Sequence, residues 1–293
     1  MSFFSSKAQR KRNSNPMTTA PDSRTASICD ALALREGGEL ISIVGGGGKS
    51  ALLFALGGAL PGRTILTTTT RIFAAQTARA AETFRFGTAE CEAALRTDRR
   101  GLLVIGAVEG DKAKGVAREA PGEMLAVPGV DFVIVEADGS RMLPAKAPAS
   151  HEPVIPDETT LVVAVAGIDA LEGPISKTCH RPEQVAGLLG VSEAHTLDPQ
   201  DLASLLCHED GGLKNLPRGA RAALFINKIE SPDQWQAGRE LARSAQSHSR
   251  VDRIVLGAIE PGGAEATRGP RPADLEFEIF LGRAAEGTKR ERG

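Results

Sequence analysis

The chain has no tyrosine and only one tryptophan, Trp235, in 293 residues, and aromatic side chains make up 4% of it. The core must therefore be aliphatic. The stacking platforms that hold single-stranded nucleic acids are missing, so no nucleic-acid partner is expected. Charge of either sign is also missing in excess: the formal balance is −2, which implies neither a polyanion-binding surface nor an acidic one. None of the four cysteines (Cys29, Cys91, Cys179, Cys207) forms a Cys-x-x-Cys pair, which argues against a structural zinc site. Scattered thiols fit a reducing compartment, and the expected location is cytoplasmic. No apolar run reaches the length of a membrane span, so no membrane association is expected. The N-terminus carries Lys7, Arg10, Lys11 and Arg12 without the apolar stretch of a secretory leader. Residues 1–26 read as a disordered, weakly basic tail.

What is present is Ile41-Ser42-Ile43-Val44-Gly45-Gly46-Gly47-Gly48-Lys49-Ser50, followed by an apolar helical pattern from Ala51 to Leu60. This is strand, glycine loop, helix. Glycines let backbone N–H groups turn inward, and a helix start adds free N–H groups and a positive dipole end. The stretch reads as a phosphate cradle. Gly45, Gly46, Gly47 and Gly48 would line it, Lys49 would meet the β/γ-phosphates, and Ser50 would ligate Mg²⁺. The full G-x-x-x-x-G-K-[ST] pattern would put a glycine at Ile43. The first glycine here is Gly45, so the loop is the shortened G-x-x-G-K-S form, which also occurs in nucleotide-using ligases.

Further along, apolar strands alternate with helical stretches, the signature of a parallel sheet covered on both faces. The expected class is α/β, a P-loop NTPase-like three-layer fold with a mostly parallel central sheet. One domain is expected over residues 27–282, with 83–129 as an excursion or small subdomain and 283–293 as a frayed tail. A helix is expected over Ile72 to Ala81, and a long proline-rich loop over 141–156.

Ligands of such sheets sit beyond the C-terminal strand ends. Four strands end in polar residues that would share one rim: Gly45–Ser50, Thr67–Arg71, Glu136–Arg141 and Asn227–Glu230. Val133-Ile134-Val135-Glu136-Ala137-Asp138 resembles a Walker B strand, with Asp138 expected on the metal side and Glu136 on the attacking water, or the reverse. Lys49, Glu136 and Asp138 are thus the expected catalytic groups. Asn227-Lys228-Ile229-Glu230 resembles the guanine-reading N-K-x-D box, with Glu230 in place of Asp, which leaves the expected nucleotide open between ATP and GTP. Thr68, Thr69, Thr70 and Arg71 are candidates for phosphate or a second substrate. So are Arg141, Lys146, His151 and Glu152 in the long loop, and His180 and Arg181 at a helix start.

Taken in order, Val44 to Ser50, Leu66 to Ile72, Val135 to Arg141, Lys146-Ala147-Pro148, His151 to Pro156, His180 to Glu183 and Asn227-Lys228 resemble the selenium-dependent hydroxylase accessory protein family (YqeC-type). Two departures are Ser50, where Thr is expected, and Glu230, where Asp is. The resemblance implies a role in maturing the selenium-containing molybdenum cofactor of hydroxylases, with a molybdenum hydroxylase or a cofactor-biosynthesis protein as partner. It supplies no reaction. A Mg²⁺-dependent NTPase is the leading expectation. An ATP-dependent small-molecule ligase or kinase, or a non-enzymatic module switched by nucleotide, are the others.

Overall fold

Strand Glu39–Gly45 is buried along its whole length, and its side chains alternate between two apolar clusters. Leu40 and Val44 join one cluster, and Ile41 and Ile43 the other. Strand Phe132–Glu136 divides the same way. This is the period-two pattern of strands covered on both faces. The computed structural model describes residues 23–25, 27–259 and 276–284.

The described residues form an α/β fold with one ten-stranded, mostly parallel central sheet. Its strands in chain order are β1 (Ser23–Thr25), β2 (Glu39–Gly45), β3 (Thr64–Thr68), β4 (Thr83–Arg85) and β5 (Leu102–Ile105). Then come β6 (Phe132–Glu136), β7 (Leu161–Gly167), β8 (Arg221–Asn227), β9 (Arg253–Leu256) and β10 (Phe277–Leu281). Across the sheet the order is β1-β10-β9-β8-β7-β2-β6-β3-β5-β4. From β4 to β9 every neighbouring pair is parallel. Only β10, and β1 beyond it, pair antiparallel.

Helices cover both faces. On one lies the helix Lys49–Ala59, through Leu52, Leu53, Phe54 and Leu56. On the other lie Ala120–Leu125, Pro182–Leu189, Pro199–Cys207 and Pro232–Gln246. The last of these buries Gly238, Leu241, Ala242 and Ala245 on one stripe and is capped by Ser231.

Three expectations change. The helix over Ile72 to Ala81 is instead the strand Ile72–Phe73 and a 3-10 segment, Ala74–Arg79. Side chains hold it so: Gln76 accepts from the Phe73 N–H, and the Thr77 hydroxyl donates to the Ala74 carbonyl. Residues 83–129 give β4 and β5 to the central sheet, while Ala107–Glu109 and Lys112–Lys114 pair with each other and with Ile72–Phe73. Within the expected tail, Ser23–Thr25 is an edge strand on β10. The rest of that tail, residues 1–22 and 26, and residues 285–293 lie outside the described residues.

Candidate functional site

The parallel run brings the C-terminal ends of β2, β6, β3, β7 and β8 to one rim, with β2 between β6 and β7. The glycine loop leaves β2 and is pressed against its neighbours. A Cβ on Gly46 would stand 2.6 Å from the Leu143 carbonyl oxygen, and one on Gly47 2.0 Å from the Gly167 nitrogen. Gly47 also has a φ of +70°, which side-chain-bearing residues rarely adopt.

This packing uses amides that sequence reasoning assigned to phosphate. Gly45 N–H donates to the Asp138 carboxylate, 3.1 Å from each oxygen. Gly46 N–H donates to Val165 O at 2.8 Å and Gly47 N–H to Leu143 O at 3.0 Å. The donors left over are those of the helix start. Among the described residues, no acceptor meets the N–H groups of Gly48, Lys49, Ser50 or Ala51, and no side chain caps the helix at Gly48. The anion-ready part of the loop is thus its last glycine and the first helical turn.

Below this turn lies a network of two buried lysines, the half-buried Arg181 and three carboxylates. Lys49 Nζ donates to its own loop at Gly45 O (2.7 Å) and stands 3.4 Å from Asp138 and 3.9 Å from Glu136. Asp138 also meets Lys146 at 3.0 Å. Lys146 bonds Glu152 at 2.7 Å, and Arg181 bonds the same Glu152 oxygen at 2.9 Å. Such charges tolerate burial only because each is paired.

The two carboxylates expected to share the metal and the water, Asp138 and Glu136, have different surroundings. Asp138 is 2% exposed and fully engaged by Gly45, Lys49 and Lys146. The carboxylate beside Ser50 is Glu136, whose Oε2 accepts from Ser50 Oγ at 2.8 Å. This hydroxyl and carboxylate fit one hard cation shared with phosphate oxygens, which needs only one or two protein carboxylates. An all-protein cage is not available: no group of three His, Cys, Asp or Glu is arranged for a metal among the described residues. Burial raises the pKa of Glu136, with Asp138 adding to the rise; Lys49, the Ser50 hydrogen bond and Arg79 oppose it.

The threonine run is a set of ties. Thr68 Oγ donates to Glu136 O at 2.9 Å, Thr69 N–H to the same oxygen, and Thr69 Oγ to Val154 O at 2.7 Å. These bonds fix the end of β6 and commit the Thr68 and Thr69 protons to backbone rather than to a second substrate. Thr70 is half-buried, and its N–H donates to Thr68 Oγ. Arg71 is exposed.

The long loop is ordered over the rim. Its Ala145–Lys146 pairs in parallel with Cys179–His180, which brings the two candidate groups together. Burial and the cations Arg181, Lys146 and Arg141 push the His180 pKa down to about 4, against Glu152. Burial raises Glu152, but bonds and charges from Lys146 and Arg181 outweigh it and hold the pKa down to about 2. Arg141 and Met142 are both exposed and both at positive φ, +51° and +65°. His151 is exposed and stands outside this network.

At the end of β8, Asn227 is a brace. Its Nδ2 donates to Gly47 O at 2.9 Å and its Oδ1 accepts from Ile259 N–H. Lys228 Nζ meets Asp169 at 2.6 Å, and the Glu230 side chain is exposed. Sequence reasoning missed Gln76, Arg79 and Asp169. Gln76 Nε2 donates to Ser50 Oγ at 2.9 Å, and Arg79 lies over the Phe54 ring, 4.5 Å from its centroid. The available signal was two long polar residues spaced i, i+3 just after the threonine run.

A family model described as YqeC protein matches residues 41–183, which include the whole charge network and stop short of Asn227. Over 233 residues the chain is 35% identical to "Uncharacterized protein YqeC" of Escherichia coli (strain K12), covering 78% of this chain and 91% of that protein. No solved structure matches the chain. No helix among the described residues is long and apolar enough to cross a membrane.

Proposed function

The chain belongs to the YqeC protein family, and from that premise we propose that it is a Mg²⁺-dependent nucleoside-triphosphatase of the P-loop α/β type. The observation that carries this reading is the uncapped start of the Lys49–Ala59 helix, whose free N–H groups open beside Lys49 and the Ser50–Glu136 pair. Free amides, a dipole end and a lysine converge there on an anion.

The terminal phosphates of ATP or GTP rest on the N–H groups of Gly48, Lys49, Ser50 and Ala51. Lys49 Nζ turns from Gly45 O to a β/γ oxygen, while Asp138 keeps hold of the loop through Gly45 N–H. Ser50 and Glu136 would hold Mg²⁺, which neutralises charge developing on the phosphate oxygens. Water attacks the γ-phosphorus as the bond to the β–γ bridging oxygen breaks. The electron pair stays on the diphosphate, and the water proton leaves with the inorganic phosphate. The resemblance to selenium-dependent hydroxylase accessory proteins supports the wider role, maturation of a selenium-containing molybdenum cofactor, with a hydroxylase or cofactor-biosynthesis protein as partner.

A second reading, an ATP-dependent small-molecule ligase or kinase, is favoured by the Arg141–Met142 pair, exposed at positive φ beside the phosphate rim. Strained, exposed residues on an ordered loop are suited to gripping a second substrate. Phosphate release from Mg·ATP and Mg·GTP tests the main reading. Release is expected to require Mg²⁺ and to fall by about a hundredfold or more in Glu136→Gln. A metal-independent rate, or an unchanged rate in that variant, contradicts it.

A further inference from the structure

Most cations around the glycine loop are already committed. Lys49 faces Asp138 and Glu136, and Lys146 and Arg181 face Asp138 and Glu152. Arg71 and Arg141 are exposed. Arg79 is different. It is half-buried, its Nε is buried with no hydrogen-bond acceptor among the described residues, and its guanidinium carbon stands 4.5 Å from the Phe54 ring centroid.

Its position is fixed relative to the reacting groups. Phe54 follows Ser50 by one helical turn, so both project from one face of the helix. Gln76 precedes Arg79 by one turn of the 3-10 segment, and Gln76 Nε2 donates to Ser50 Oγ at 2.9 Å. The segment Ala74–Arg79 is thus laid along the start of the helix by two contacts, Gln76 on Ser50 and Arg79 on Phe54. Ser50 Oγ is itself 2.8 Å from Glu136. A side chain with five donors and no ion pair among the described residues is therefore held one helical turn from Ser50, within reach of the proposed phosphate and metal groups. Burial lowers the Arg79 pKa, and the charge of Glu136 opposes this.

We propose that Arg79 is a catalytic residue of the phosphoryl transfer, supplying in cis the cation that meets the γ-phosphoryl oxygens and the bridging oxygen as the bond to it breaks. The inference rests on the nucleotide reading above and names a further residue for the same site. Phe54 holds the guanidinium 4.5 Å from its ring centroid, and the Nε N–H has no acceptor among the described residues, so donors remain for oxygens. The arginine acts only as negative charge spreads in the transition state, so it contributes little to ground-state affinity.

The test compares wild type, Arg79→Ala and Arg79→Lys in single-turnover phosphate release from Mg·ATP and Mg·GTP. It also compares binding of Mg·ADP and Mg·GDP with and without aluminium fluoride, a planar mimic of the phosphoryl group in flight. Arg79→Ala is expected to slow release by roughly a thousandfold. Its diphosphate affinity should stay within about threefold of wild type, and the tightening by fluoride should disappear. Arg79→Lys should recover part of the rate, which a purely structural role would not explain. Wild-type rate and fluoride response in Arg79→Ala overturn the proposal, as does a variant that loses thermal stability alone. A wild type that binds neither nucleotide overturns the nucleotide reading itself and this proposal with it, so the two failures are told apart.

Discussion

Asp138 shows how much one buried carboxylate organises. It binds the Gly45 amide with both oxygens and faces Lys49 and Lys146, which ties the glycine loop to the long loop over it. Of the two acids expected to share the metal and the water, Asp138 anchors the loop and Glu136 is the carboxylate beside Ser50. Sequence spacing puts both acids at the end of β6 but does not say which one turns toward the glycines, because their partners are distant in the chain. Asn227 is the same case: its acceptor, Gly47, is supplied across the sheet.

The same network gives stability an acid limit. The folded His180 pKa lies near 4 against an ordinary 6.5, so between those values the unfolded chain binds the proton better and stability falls as pH falls. Glu152, at about 2 against an ordinary 4.5, has the same sign in a lower window. Denaturant unfolding from pH 7 to pH 5 is expected to show falling stability in the wild type and a shallower fall in His180→Gln. An equally steep fall in the variant would show that His180 is not the group responsible.

At the scale of elements, the glycine loop was legible as a turn between strand and helix, and the helix start at Lys49 and Ser50 was legible with it. The use of its first three amides was not. Those bonds depend on Asp138, on β7 and on Leu143 arriving beside the loop, which no local pattern records. The 3-10 segment was misread as a helix because Gln76 and Thr77 bond their own backbone. Two glycines separate packing from mere flexibility. Gly47→Ala pushes a methyl against the Gly167 backbone at positive φ and is expected to cost about 3 kcal/mol or more in denaturant unfolding. Gly139→Ala meets nothing within 4 Å and has no positive φ, so its stability should be unchanged or slightly raised. Equal costs at the two positions would contradict the packed-loop geometry.

Across the whole molecule, continuous apolar runs announced parallel strands, and polar residues at four strand ends announced a shared rim. Strand order was not readable, since it depends on which crossovers pack. Nor was the antiparallel edge, where Ser23–Thr25 closes on Phe277–Leu281 from the other end of the chain. The central claim is that anions bind at one spot on this sheet, the first turn of the Lys49–Ala59 helix. The most direct measurement is an amide ¹H–¹⁵N correlation map of the wild-type protein titrated with Mg·ATP and Mg·GTP. The expected result is large shifts at Gly48, Lys49, Ser50 and Ala51, whose N–H groups have no acceptor among the described residues, and small ones at Gly46 and Gly47, which stay bonded to Val165 and Leu143. Unmoved resonances at the helix start with millimolar triphosphate, or shifts centred elsewhere on the sheet, would contradict it.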